Sequence, residues 1–157
     1  MEGSSPLLLF LLFAAALAVS KGHMLDCNFE QDFCQWRQVT GADSLDWQRH
    51  SGSTPLSTTG LSFDHTTGKN GSYAYVYFDS SNGIAGATAQ LYSPLLTVGR
   101  NNYMCLTFWY QMNGGHTGTL TLYHNNTRLW ALSGGQGNVW LQAQDHNRGH
   151  FSRGDCV

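Results

Sequence analysis

The sequence predicts an all-β fold, a sandwich or jelly roll made of short antiparallel strands. No window sustains apolar residues at helical spacing, whereas several segments alternate apolar and polar residues with period two. Clusters of Gly, Asn and Ser separate those segments at the short intervals of hairpins, which favours a sandwich or jelly roll over a barrel. Aromatic residues reach 13% while charged residues stop at 11%, well below the roughly 25% of ordinary soluble domains.

The first element is not a strand in this reading. The opening "MEGSSPLLLFLLFAAALAVSK" has an apolar run from Leu7 to Val19 and a small-x-small pattern, Ala18-Val19-Ser20, before Lys21. That is the form of a secretory signal peptide covering residues 1–20. Its n-region departs from the usual pattern by carrying Glu2 and no Lys or Arg. The run is shorter than the roughly 20 apolar residues of a membrane span, and no later segment is longer, so no membrane span is expected in this chain. The remainder is the size of one domain, to be found secreted and extracellular. A net charge of −2 without a clustered basic face argues against nucleic acid as a partner.

An oxidising compartment makes the four cysteines, Cys27, Cys34, Cys105 and Cys156, a disulfide framework rather than a metal site, since none is in a C-x-x-C pair. The same compartment makes Asn70-Gly71-Ser72 and Asn125-Asn126-Thr127 glycosylation sequons, with Asn70 and Asn125 as acceptors. Both lie in turn-like sequence.

The clearest strand is "CLTFWYQM", residues 105–112, in which Leu106, Phe108, Tyr110 and Met112 share a core face. Strands are likewise expected at 73–78, 87–92, 119–124, 128–133 and 139–143, with a tight turn at Asn125 and Asn126. Between Val39 and Asn70 the pattern weakens into a long loop, which Trp47, Leu61 and Phe63 should pin to the core. Trp36, Trp47, Trp130, Trp140 and the run Phe108-Trp109-Tyr110 stand at strand spacing and read as core before ligand groove.

Motifs of catalysis are missing from this sequence. There is no G-x-S-x-G elbow, and "SGGQGN" lacks the Lys and Ser or Thr of a phosphate loop. His146 and His150 have i, i+4 spacing, but Gly149 opposes a helix and no H-E-x-x-H is present, so they read as surface histidines. The chain is not expected to be an enzyme.

Cys27-x-Phe29-Glu30, Cys34-x-Trp36, Trp47, Asp64-His65-Thr66 with Gly68, Gly71-x-Tyr73, Leu91-x-Ser93-Pro94, Cys105-Leu106-x-Phe108-x-Tyr110-x-Met112, Gly118-x-Leu120, Leu129-Trp130, Gln136-Gly137 and Trp140 occur in that order. Together they resemble the MAM domain, an extracellular module of adhesion receptors, receptor phosphatases and meprin-type proteases. The resemblance implies a jelly-roll sandwich of two antiparallel sheets and a Cys27–Cys34 disulfide. It also implies that Cys105 pairs with a closing cysteine, a place that Cys156 would have to take. No cofactor is expected beyond a structural calcium or sodium ion, for which Glu30, Asp32 and Asp64 are the candidate carboxylates. Glu30 and Asp64 read first as turn caps, hydrogen-bonded to backbone amides.

After Trp140 the family continues through further strands, whereas this chain reads "LQAQDHNRGHFSRGDCV". The expected organisation is a short segment 21–26, a MAM-like domain 27–142 lacking its last strands, and an atypical tail 143–157 holding Arg153-Gly154-Asp155, an integrin-type triplet. The resemblance implies a secreted, non-catalytic interaction or adhesion module, with extracellular or cell-surface proteins, including a second copy, as partners. The alternatives are a short isoform of the interaction domain of a larger secreted protease or receptor, and an integrin ligand acting through the triplet.

Overall fold

A computed structural model describes residues 7–10, 25–54, 63–68, 71–75, 86–95, 105–115 and 117–146. Among these the strands are β1 (Leu7–Phe10), β2 (Arg37–Gln38), β3 (Gln48–Ser51), β4 (Ser72–Tyr75), β5 (Leu91–Tyr92), β6 (Cys105–Tyr110), β7 (Thr119–His124), β8 (Thr127–Ser133) and β9 (Leu141–His146). One sheet runs β2-β5-β1-β7-β8, while β3 pairs with β4 and β6 with β9. Every one of these ladders is antiparallel.

Phe108 and Tyr110 of β6, Ala143 of β9 and Ala74 of β4 share one apolar cluster with Leu91 of β5 and Leu120 and Leu122 of β7. The five-stranded sheet thus packs on the two strand pairs, and the fold is the all-β sandwich that the alternation predicts. Phe108, Tyr110 and Met112 are buried, and Leu106 packs against them. The hairpin β7–β8 turns at Asn125 (φ 48°) and Asn126 (φ 61°). Two successive left-handed residues match the right-handed twist of the strands they join, and Asn tolerates that conformation better than most residues.

Several boundaries differ from the sequence expectation for identifiable reasons. The segment 87–92 supplies only Leu91–Tyr92 as strand, because Thr88 is drawn aside: its carbonyl accepts the N–H groups of Ser44 (2.9 Å) and Leu45 (3.0 Å). β9 starts at Leu141, not at 139, and runs to His146, pairing along the whole of β6. The presumed long loop contains β3, whose residues Gln48, Arg49, His50 and Ser51 are mostly exposed and so carry no apolar alternation. Backbone pairing with β4 holds it. Leu7–Phe10, assigned to the signal peptide, forms the central strand β1 between β5 and β7.

Trp47 is pinned as expected. It is buried, its indole donates to the Ala89 carbonyl (3.2 Å), and the Gln38 amide bonds both its N–H (3.1 Å) and its carbonyl (2.6 Å). Phe63 is not pinned through its ring, which is 41% exposed; its backbone carbonyl is held instead, by the Trp140 indole at 3.0 Å. Leu61 lies outside the described residues.

Leu122 is fully buried at the centre of the cluster, whereas Leu95 is 57% exposed. Leu122→Ala is expected to cost about 2–5 kcal/mol of stability and Leu95→Ala less than about 0.5 kcal/mol. Urea unfolding of the two variants measures both.

Candidate functional site

The best-built polar region begins in the loop 27–34. Cys27 and Cys34 are bonded across it with their Cα atoms 5.8 Å apart. Short polar side chains shape the loop from inside: Asn28 Oδ1 accepts the Glu30 N–H (3.1 Å) and Asp32 Oδ1 accepts the Cys34 N–H (2.6 Å). Phe29 and Cys34 take left-handed φ values of 59° and 56°, an arrangement that costs backbone energy and is held by what surrounds it. Phe29 is buried edge-on against Phe33.

The loop is then gripped from both strands of the β3–β4 pair. Arg49 of β3 donates from Nε to the Phe29 carbonyl (2.7 Å) and from Nη2 to the Glu30 carbonyl (2.6 Å). Glu30 Oε2 in turn accepts the Ser72 N–H at the start of β4 (3.1 Å), and its Oε1 meets the Thr67 hydroxyl at 3.5 Å. Thr67 also donates to Asp64 Oδ2, from its N–H at 2.6 Å and from its hydroxyl at 3.3 Å. Asp64 and Gly68 close the intervening turn, the Asp64 N–H reaching the Gly68 carbonyl at 2.9 Å with Gly68 at φ 84°. Gly71 crosses directly over this group, where a Cβ would collide with the Thr67 hydroxyl and the Asp64 carboxylate.

Glu30 and Asp64 therefore act as backbone caps here. Among the described residues no three His, Cys, Asp or Glu side chains group in a way that could hold a metal. The exception in detail is Asp64 Oδ1, fully buried without a hydrogen-bond partner among the described residues.

Beside Asp64, His65 stacks on Trp109 with ring centroids 3.8 Å apart, and Trp140 meets it edge-on at 6.0 Å. Burial holds the His65 imidazole below its usual pKa, with the Asp64 carboxylate opposing that shift. Burial likewise pushes the Tyr73 phenol well above the ordinary tyrosine range, with Tyr75 and Asp64 adding to it. The Tyr73 hydroxyl donates to the Gly52 carbonyl at 2.7 Å.

The surface next to the stapled loop is hollowed. A groove of about 420 Å³ is lined by Cys34, Gln35, Trp36, Arg37, Ser93, Pro94 and Leu95. It lies along β2, one of the two outer strands of the five-stranded sheet, and Leu95 is largely exposed there.

Of the other residues singled out in the sequence, Asn125 is exposed at the hairpin turn and His146 ends β9. Cys105 begins β6. Asn70, His150, Arg153, Gly154, Asp155 and Cys156 lie outside the described residues. Arg49 and Thr67 carry no signal in the sequence. Gly71 does, through Gly71-x-Tyr73, although that motif does not say what the glycine must clear.

Residues 27–146 match the family model described as MAM domain, meprin/A5/mu. The chain belongs to the MAM family. Among relatives, it is 40% identical over 125 residues to human MAM domain-containing protein 2, covering 75% of this chain and 17% of that protein. It is 36% identical over 126 residues to thyroid hormone-induced protein B of Xenopus laevis, again 75% of this chain and 17% of the relative. With neuropilin-1a of Danio rerio the identity is 32% over 130 residues, 75% of this chain and 13% of that protein. The chain thus spans a minor part of the length of these MAM relatives. No solved structure gives a significant match.

Two measurements probe this region. Gly71→Ala must displace Asp64 or Thr67 and is expected to cost about 1–3 kcal/mol in urea unfolding, as overpacking does. The second concerns pH. Because His65 binds a proton less readily when folded, the unfolded chain holds more protons below its ordinary pKa of about 6.5, and stability falls as pH drops through that value. His65→Phe keeps an aromatic ring on Trp109 without titrating, so its urea midpoint should fall less than wild type between pH 7 and pH 5.

Proposed function

We propose that this chain is a secreted, extracellular protein-interaction module of the MAM family, acting by surface complementarity and not by catalysis. The match over residues 27–146 carries this reading, since it places the chain among proteins such as neuropilin-1a. The polar geometry supports it: Glu30, Arg49 and Asp64 are spent on backbone groups that hold the 27–34 loop, the turn at Asp64 and the start of β4 in register. The contact surface in this reading is the groove along β2, with the exposed Leu95 as apolar anchor and Arg37 at its polar rim. Residues 1–20 act as the leader, and Asn125, exposed on its turn, takes a glycan. The small share of each relative that the chain covers favours the same domain working as one module of a larger protein.

Labelled protein secreted from the full chain, applied to mammalian cells, tests this by flow cytometry. Saturable binding that is lost when the cells are stripped with trypsin, and weakened about tenfold or more by Leu95→Asp, is the expected outcome. Binding that ignores Leu95→Asp but disappears with Asp155→Glu would transfer the function to the Arg153-Gly154-Asp155 triplet. No saturable binding would overturn the proposal.

A further inference from the structure

Three asparagines in the sequence precede glycine, Asn70, Asn82 and Asn113, and of these Asn113 lies with its glycine among the described residues. In such a pair the glycine nitrogen, with no side chain beside it, can attack the asparagine side-chain amide. What the fold does with that nitrogen decides whether the attack occurs. The Gly71 N–H is donated to the Gly68 carbonyl at 3.3 Å, so the Asn70 pair has its nucleophile tied. The Gly114 N–H has no hydrogen-bond partner among the described residues. Gly114 also takes φ 136°, in the region that favours glycine, so the loop requires at this position the residue that leaves the nitrogen unshielded. Asn113 and Gly114 are half-buried and Gly115 beside them is exposed, which gives water and base access to the pair.

The same stretch clasps the loop that follows β6 to the loop that follows β8. The Gln136 N–H reaches the Met112 carbonyl at 2.6 Å, and the Gly134 N–H reaches the Gly118 carbonyl at 3.1 Å. The buried Gln111 donates from its side-chain amide to Asn138 Oδ1 at 2.7 Å. Gly135 passes directly over the Gly114 carbonyl, where a Cβ would stand 2.6 Å from the oxygen. Asn113 thus sits between two residues, Met112 and Gly114, whose carbonyls are both held against the other loop.

We propose that Asn113 is a site of spontaneous covalent modification, converted through a cyclic succinimide into isoaspartate, and that this opens the clasp. The Gly114 nitrogen loses its proton to solvent base and bonds to Asn113 Cγ, and the side-chain nitrogen leaves as ammonia. Water then adds to one of the two ring carbonyls and breaks its bond to the Gly114 nitrogen, so the net change consumes one water and involves no oxidation. Opening at the Cγ carbonyl gives ordinary aspartate. Opening at the backbone carbonyl leaves the main chain running through Cβ and Cγ, as isoaspartate, with one extra atom between Met112 and Gly114. With that atom inserted, the two carbonyls cannot both keep their places against Gln136 and Gly135.

The test uses the full 157-residue chain, held folded in mildly alkaline buffer and sampled over time by peptide mapping with enzymatic labelling of isoaspartate. Ser72→Ala serves as the background, since it removes the sequon at Asn70 and keeps the backbone N–H that Glu30 binds. Isoaspartate is expected at Asn113 within about threefold of its rate in the free peptide QMNGGHTG, and about tenfold faster than at Asn70, because a hydrogen-bonded amide reacts only through local opening. In the modified fraction, separated by ion exchange, hydrogen exchange of the segment containing Gln136 should be about tenfold faster. Freshly made Asn113→Asp, which gains the charge without the extra atom, should exchange as the unmodified chain does. Conversion at Asn113 no faster than at Asn70, or far slower than in the free peptide, would overturn the modification site. Isoaspartate with unchanged exchange, or equal loosening by Asn113→Asp, would overturn the opening of the clasp.

Discussion

The attachment of the 27–34 loop to the β3–β4 pair is the constraint on which the rest of this domain depends. The loop supplies Cys27 and Phe29 to the central apolar cluster, yet its own backbone is strained and belongs to no sheet. What keeps Phe29 in the core is a covalent staple at the loop's ends and Arg49 on two successive carbonyls at its middle. A guanidinium can do this because its donors are fixed in one plane, so two bonds form for one ordered side chain; lysine would supply a point charge and lose the geometry. Through Glu30 the same loop fixes Ser72, and through Thr67 it fixes the turn at Asp64. One grip therefore sets the start of β4, the turn before it and part of the core.

Such an arrangement commits the carboxylates of this region to holding the fold. Each is turned toward backbone N–H or a hydroxyl, and Arg49 addresses carbonyl oxygens. The unpaired buried oxygen of Asp64 and the stacked His65–Trp109 pair mark where the domain tolerates polar discomfort. The other side of the Asp64 carboxylate lies against Gly71, where the close crossing of the chain leaves no space for a side chain. Function by contact suits this economy, since a rigid frame of committed polar groups presents the same outer surface each time.

Much of the fold is legible in the sequence because it rests on period-two burial. β6, β7 and β8 appear nearly within their expected limits, and the Asn125-Asn126 turn is where two asparagines allow left-handed backbone. β3 is illegible for the converse reason: four polar residues pair through the backbone, and their side chains carry no pattern. The start of the 87–92 segment shows the limit of propensity, since there the Thr88 carbonyl is taken by the N–H groups of Ser44 and Leu45. Of the polar site, the disulfide pair and the capping carboxylates can be read from their motif, while Arg49 cannot, because a residue twenty positions away that binds a carbonyl leaves no local trace, and neither can the contact of Thr67 with Glu30, 37 positions away.

The apolar run that begins at Leu7 shows how one stretch of sequence can answer to two environments. Thirteen residues from Leu7 to Val19, with no charge and no Gly or Pro, satisfy their backbone only by coiling when they are surrounded by lipid, because no partner strand exists there. Beside β5 and β7 the partners are present on both sides, and the ladder outweighs the helical preference of leucine. Nothing in the apolar pattern itself separates these outcomes, since a run apolar at every position fits a helix buried on all sides and a strand buried on both faces equally well. What decides is which unpaired backbone groups lie within reach.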